Sequence, residues 1–231
     1  YKRAGMALTA EKRDELAAIQ KEITRLGIEF ERNIREDETT VPLTRDELGG
    51  MSDDYIDSLD RSGDVYLVGM SYPEFLPIQD LCTNETTREK VWIAYKRRGG
   101  LKNVAVLEQI LALRAEAASI LGYQHAADYE IEVRMAKDAA TVKAFYDELR
   151  PLVRRKAELD LVEFTEAKRA DTGDDDATLY PWDQSYYKNK LMRDKYAVDG
   201  EKVREYFPMS SVMDGLFSIT QSLYGLEYRD I

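Results

Sequence analysis

Histidine and cysteine are nearly missing from these 231 residues: the chain has one of each, His125 and Cys82. A single thiol excludes a disulfide within the chain and points to a reducing compartment, the cytoplasm. A single imidazole excludes more. A serine or cysteine triad would need His125 as its base, yet there is no GxSxG elbow, and Cys82 falls on a predicted buried helix face. A hydrolytic zinc centre of the HExxH kind takes two imidazoles one helical turn apart plus a carboxylate, leaving the fourth position for water. The sequence contains no such string. His125 is therefore expected to be structural or capping, near a helix start.

Other absences narrow the field further. No apolar run approaches the ~20 residues a membrane span needs, and none follows the basic start Tyr1-Lys2-Arg3, so a membrane partner and an ordinary signal peptide are not expected. The chain opens on Tyr1 rather than Met, which suggests a cut piece. A lost transit peptide would keep a mitochondrial address open. Positive charge is outnumbered: 33 Lys and Arg face 44 Asp and Glu, for a net charge of -11. Such a surface repels phosphate backbones, so nucleic acid is not an expected partner. The Gly-Gly pairs lack the spacings of phosphate loops. Asp171, Gly173 and Asp175 match only the first places of a calcium loop, and the later ligands are missing.

What is present is helical pattern. Leu16, Ile19, Ile23, Leu26, Phe30 and Ile34 recur every three or four residues, which predicts a helix of about 26 residues and ~39 Å after a Thr9 N-cap. Thr44 and Glu47 read as a capping box before Gly49-Gly50, and Ser52 can start a short helix that turns Tyr55, Ile56 and Leu59 inward. Residues 64–70 are rich in β-favouring types and predict one short strand or hairpin. Pro73 suits a first helical turn. Further helices are expected over 85–98, over 104–121 with Leu107, Leu111 and Leu121 inward, and over 125–136. A long one should follow from Asp138 to about residue 170, kinked or interrupted at Pro151. The acidic stretch 171–176 is the best break in the chain. Helices over 182–196, 200–206 and 210–224 come after it. Leu226 to Ile231 alternates as the opening of a strand does, then stops.

One cluster stands out, Tyr180-Pro181-Trp182-Asp183-Gln184-Ser185-Tyr186-Tyr187, with four aromatics around an acid. Tyrosine and tryptophan combine apolar area with a polar handle. That suits a peptide-binding wall, though such clusters more often form a core or a helix–helix seam. Trp182, Asp183, Tyr186 and Tyr187 are the candidate residues.

Taken with other strings, the chain resembles the thimet oligopeptidase and neurolysin family of zinc metallo-oligopeptidases. The resemblance is carried by Phe30-Glu31-Arg32-Asn33-Ile34 with Glu38 and by Leu43-Thr44-Arg45-Asp46-Glu47-Leu48-Gly49-Gly50. Tyr72-Pro73, Leu113-Arg114, Leu121-Gly122, Ala127-Asp128-Tyr129 and Met135-Ala136-Lys137 continue it. Trp182-Asp183, Tyr186-Tyr187 and Glu205-Tyr206-Phe207-Pro208 complete it. The match runs in register from about Arg3 to Ile231. It implies a mainly α fold, a helical bundle forming part of a two-lobed channel peptidase. Residues 1–170 would belong to the first lobe and the lobe junction, and 177–231 would start the catalytic lobe. It also implies zinc as the cofactor of the parent enzyme, with none expected on this chain, and short peptides as its substrates. In that family the HExxH helix lies beyond where this chain stops, so no catalytic or metal residue is assigned. Trp182, Asp183, Tyr186 and Tyr187 are expected to line the substrate channel. A fragment of this kind should associate through surfaces that truncation exposes. The alternative is a non-enzymatic helical interaction module or pseudoenzyme on the same bundle.

Overall fold

A computed structural model describes residues 1–197 and 200–229 of the chain. It is mainly helical, with one small sheet.

The first helix, α1, spans Ala10–Arg35, and the Thr9 side chain accepts from the Lys12 amide at 3.4 Å. Leu16, Ile19 and Leu26 on its seam are buried. Their partner is α5, Gly100–Ile120, laid along α1. Here the phase differs from expectation. Asn103, Val106, Ile110 and Ala118 face inward, whereas Leu107 and Leu111 are about half exposed. Helix α5 carries apolar residues nearly all the way round, so its own pattern marks no inner face. The α1 seam chooses it instead. Asn103 fixes the choice by donating to the Phe30 carbonyl at 3.0 Å and accepting from Asn33 at 2.9 Å.

Between these helices lies a tightly packed unit. Strand β1 is Val41–Leu43, helix α2 is Asp53–Asp57, and strands β2 and β3 are Asp60–Ser62 and Val65–Val68. The strands form an antiparallel sheet in the order β1-β3-β2, with Val41 opposite Val68 and Asp60 opposite Leu67. Only β3 carried a readable signal. The outer strands are three residues each, and β1 contains Pro42, which an edge strand tolerates because its missing N–H need not join the ladder. Helix α3, Tyr72–Leu81, begins with Pro73 in its first turn, and α4 covers Glu85–Lys96 after an Asn84 cap. Leu43, Leu48, Ile56, Val68, Ile78, Cys82 and Val91 form its core, each at most 2% exposed. Burying one such aliphatic side chain contributes about 1.5–3 kcal/mol.

The capping box is formed: the Thr44 amide donates to Glu47 at 2.9 Å, and the Glu47 amide to the Thr44 hydroxyl at 3.4 Å. It opens a single 3-10 turn, Asp46–Leu48, rather than an α-helix. Gly50 does more than end that turn. Its φ is +85°, and a Cβ there would stand 2.7 Å from the Leu81 carbonyl, so the chain passes too close to the end of α3 for any side chain.

Helix α6 is short, Ala126–Ile131, with His125 at its N-cap and no side-chain capping bond from it. Helix α7, Ala139–Thr172, starts on an Asp138 cap and runs through Pro151 as one helix. Asp147, whose carbonyl loses its donor at Pro151, is exposed, so water can take that bond. Helix α8 is Gln184–Tyr196, α9 is Gly200–Arg204, and α10 is Met209–Tyr224, ended by Gly225 with φ +63°. Leu226 to Arg229 forms no strand, and Asp230 and Ile231 lie outside the described residues. Among the described residues no helix is long and apolar enough to cross a membrane.

Candidate functional site

The four candidates from the aromatic cluster meet where α3, α4, α7 and α8 come together. Asp183 is the centre of the group. It sits at the N-cap of α8, but its carboxylate is turned away from the helix and is 0% exposed. One oxygen accepts from the Arg88 guanidinium at 2.7 Å, and the other accepts from the Lys168 ammonium at 2.7 Å and the Tyr180 amide at 3.0 Å. Lys168 also donates to Glu85 at 2.7 Å and to the Thr178 carbonyl at 2.9 Å, which fills its three N–H positions. Arg88 also donates to the carbonyls of Cys82 and Thr83 at 2.8 and 3.3 Å, and its guanidinium lies 4.3 Å from the Tyr186 ring centre. Two cations and two carboxylates balance. Burial alone would lower the Lys168 pKa, but the hydrogen bonds to Asp183 and Glu85 outweigh it, and the ammonium is held above its ordinary value.

The aromatics pack around this cluster. Tyr187 is buried, and its burial, reinforced by the charge of Asp171, pushes its phenol well above the ordinary value. Tyr186 and Tyr187 meet edge to face at 5.0 Å. Trp182 is half-buried, stacked on Tyr180 at 4.9 Å and edge-on to Trp92 at 6.0 Å. The structure thus brings all four candidates together, with Asp183, Tyr186 and Tyr187 inside the seam and Trp182 at its rim. Sequence reasoning missed Arg88 and Lys168, which lie 95 and 15 residues from Asp183. The one available signal was a charged residue on the apolar side of a helix: Arg88 sits between Thr87 and Val91 on the buried face of α4.

This arrangement links α4, α7 and the start of α8 through buried charge-assisted hydrogen bonds. Both Asp183 oxygens accept hydrogen bonds, two of them from cations, and the carboxylate is shut off from solvent. Elsewhere, His125 is exposed, and among the described residues no group of three or more His, Cys, Asp and Glu is placed to hold a metal. The donor set does not fit a zinc site of the HExxH kind. Cys82 is fully buried, and burial pushes its thiol up, away from nucleophilic thiolate character.

Comparison with known proteins gives this scaffold a family. The model of peptidase family M3 matches residues 78–231, the larger part of the chain. This chain belongs to peptidase family M3. Saccharolysin of Saccharomyces cerevisiae is 30% identical over 240 residues, which cover 99% of this chain and 33% of that protein. Oligopeptidase A of Escherichia coli is 28% identical over 246 residues, covering 100% of this chain and 36% of its own length. A thimet-like oligopeptidase of Dictyostelium discoideum is also 28% identical, with the same 36% coverage of its length. The chain therefore spans about a third of the length of these M3 relatives. The mainly α architecture with its small sheet is the fold expected of such a stretch, and the family is zinc-dependent.

Proposed function

We propose that this chain is part of a zinc-dependent endopeptidase acting on short peptides, and that its share of the work is scaffold. The observation that carries this reading is the conjunction of an M3 match over residues 78–231 with a single imidazole in the whole sequence. A zinc centre of the HExxH kind would polarise a scissile carbonyl and activate water. Its ligands would come from outside these residues. What this chain does is hold α3, α4, α7 and α8 in one arrangement through Asp183, and present an aromatic rim beside it. The channel-lining role expected of Trp182, Asp183, Tyr186 and Tyr187 divides accordingly. Trp182, stacked on the exposed Tyr180, is the part that faces a passing peptide, and the other three brace it from behind.

Residues 1–170 belong in this reading to the first lobe and the junction, and 177–231 begin the second. The Asp183 cluster ties the two together. The cytoplasm is the compartment that fits one buried free cysteine.

The test is a quenched-fluorescence assay on a short peptide with added zinc. The chain alone should give no metal-dependent turnover. Stoichiometric tight zinc binding together with cleavage would overturn the scaffold reading. The nucleotide sequence beyond codon 231 checks it independently: an open frame into HExxH supports the reading, and a stop codon there favours a helical interaction module.

A further inference from the structure

Helix α6 is held in place by little of its own making. It has six residues, none of them buried, and a helix that short is not stable by itself. Nor does it rest on a filled core. A cavity of about 540 Å³ lies between it and helices α1 and α5, with Ala126, Ala127 and Tyr129 on one wall and Ile23, Leu111 and Leu121 on the other. Yet α6 carries the chain toward α7, by way of Lys137 at φ +66°, an uncommon conformation for a residue with a side chain.

What does meet it is a cation from more than a hundred residues away. Arg3, in a 3-10 turn over Lys2–Ala4, places its guanidinium 4.2 Å from the Tyr129 ring centre and 5.9 Å from that of Tyr123. The two rings meet edge to face at 5.2 Å. Nη1 of Arg3 donates to the Glu132 carboxylate and, at 3.4 Å, to the Tyr123 hydroxyl, which itself donates to Glu132 at 2.6 Å. The Tyr129 hydroxyl reaches back to the Arg3 carbonyl at 3.5 Å. Aromatic faces and a carboxylate gathered around one cation are what recognises a cationic group. Among the described residues no other guanidinium lies against two rings; Arg61, Arg88 and Arg98 each meet one. The shape favours a guanidinium over an ammonium. A flat group can lay its face on Tyr129 while its edge reaches Glu132 and Tyr123, whereas an ammonium is compact and more strongly hydrated.

The three residues bracket the helix: Tyr123 precedes α6, Tyr129 lies within it and Glu132 is its C-cap. We propose that Tyr123, Tyr129 and Glu132 form a guanidinium-binding site, filled by Arg3, and that its occupancy sets the position of α6. The site involves neither peptide nor zinc, so it does not depend on the scaffold reading above.

The experiment empties the site and refills it in the 231-residue chain. Arg3→Ala should speed hydrogen exchange about 10-fold at the Tyr129 and Glu132 amides, which bond the His125 and Asp128 carbonyls, and leave α3 and α4 unchanged. Guanidinium chloride at about 50 mM, far below the molar range in which it unfolds proteins, should return most of that protection. It should also shift the Tyr123 and Tyr129 ring signals in the NMR spectrum of Arg3→Ala, and not in that of the parent chain, whose site is filled. Ammonium chloride at the same concentration should do neither. Arg3→Lys, which keeps a charge at the position, should lie nearer to Arg3→Ala than to the parent. In Arg3→Ala with Glu132→Gln, guanidinium should restore nothing, because the site keeps its shape without its charge. Unchanged exchange in Arg3→Ala overturns the proposal, as does acceleration that guanidinium fails to reverse or that ammonium reverses equally well. Parent-like exchange in Arg3→Lys overturns it as well. Equal loss of protection at α3 and α4 does the same, because Arg3 would then support the whole fold rather than α6.

Discussion

The stretch from β1 to α4 and the pair α7 and α10 are built on opposite terms. The first consists of strands of three or four residues and helices of five to twelve, yet Leu43, Leu48, Val68, Ile78 and Val91 are all 0% exposed. The second contains the longest helix of the chain, 34 residues, and an amphipathic helix of 16, and neither buries an apolar side chain below the level of the solvent-touched. Regular secondary structure and a core are thus separate achievements. Local hydrogen bonds and caps suffice to write a helix in the sequence, whereas a core needs a second surface at the right distance. The Asp183 cluster is the joint between the two regions, since it ties α4 of the packed unit to α7 and α8.

The contrast can be broken first at that joint. Asp183→Ala leaves Arg88 and Lys168 buried without their shared counter-charge, and removing one partner of a buried ion pair costs about 3–5 kcal/mol. Urea unfolding should show that loss, with exchange at α8 amides accelerating before those of α3. A cost below about 1 kcal/mol would mean that water reaches the cluster and that it does not hold the joint.

Next comes a matched pair of truncations. Ile78→Ala in the packed unit should cost about 2–5 kcal/mol, and Leu152→Ala on α7 should stay within about 0.5 kcal/mol. Equal losses at the two positions would erase the distinction between a covered and an uncovered region.

The smallest effect is one of pH. The Lys168 ammonium is held above its ordinary value, so its contribution is complete below the ordinary lysine value of 10.5 and is lost as pH rises through the raised one. The raised Tyr187 phenol acts in the same direction, because ionising it in its buried site opposes folding. Stability should therefore fall on the alkaline side. Lys168→Met should flatten that fall relative to the parent chain when unfolding midpoints are compared between pH about 9 and 12. At the other end, Glu47 is lowered by its bond to Lys90, so its share is present above the ordinary glutamate value and lost as pH drops through the lowered one. An alkaline limb unchanged by Lys168→Met would show that the ammonium is not coupled to folding.

Much of the fold was legible because its signals are local. The Thr9 cap, the Thr44–Glu47 box, Ser52 and Asp138 each bond an amide three residues on, and such signals survive in sequence order. The outer strands were not legible, since three residues with a proline or three polar residues carry no alternation to read. The inner face of α5 was misassigned for a related reason: Leu107 and Leu111 are as apolar as Val106 and Ile110, and only the position of α1 separates them. Of the candidate site, the aromatic cluster and its acid were visible. Arg88 was not, because a guanidinium on a buried helix face gives no sign of which carboxylate, 95 residues away, will meet it.

Composition and order alone settled that one imidazole and one thiol cannot furnish an HExxH zinc centre or a disulfide, and they settled most helix ends, because a cap spans four residues. Tertiary structure decided which of several equivalent faces turns inward, and that Asp183 is buried between Arg88 and Lys168. Those outcomes depend on partners brought together from distant parts of the chain, and a linear pattern carries no record of distance in space.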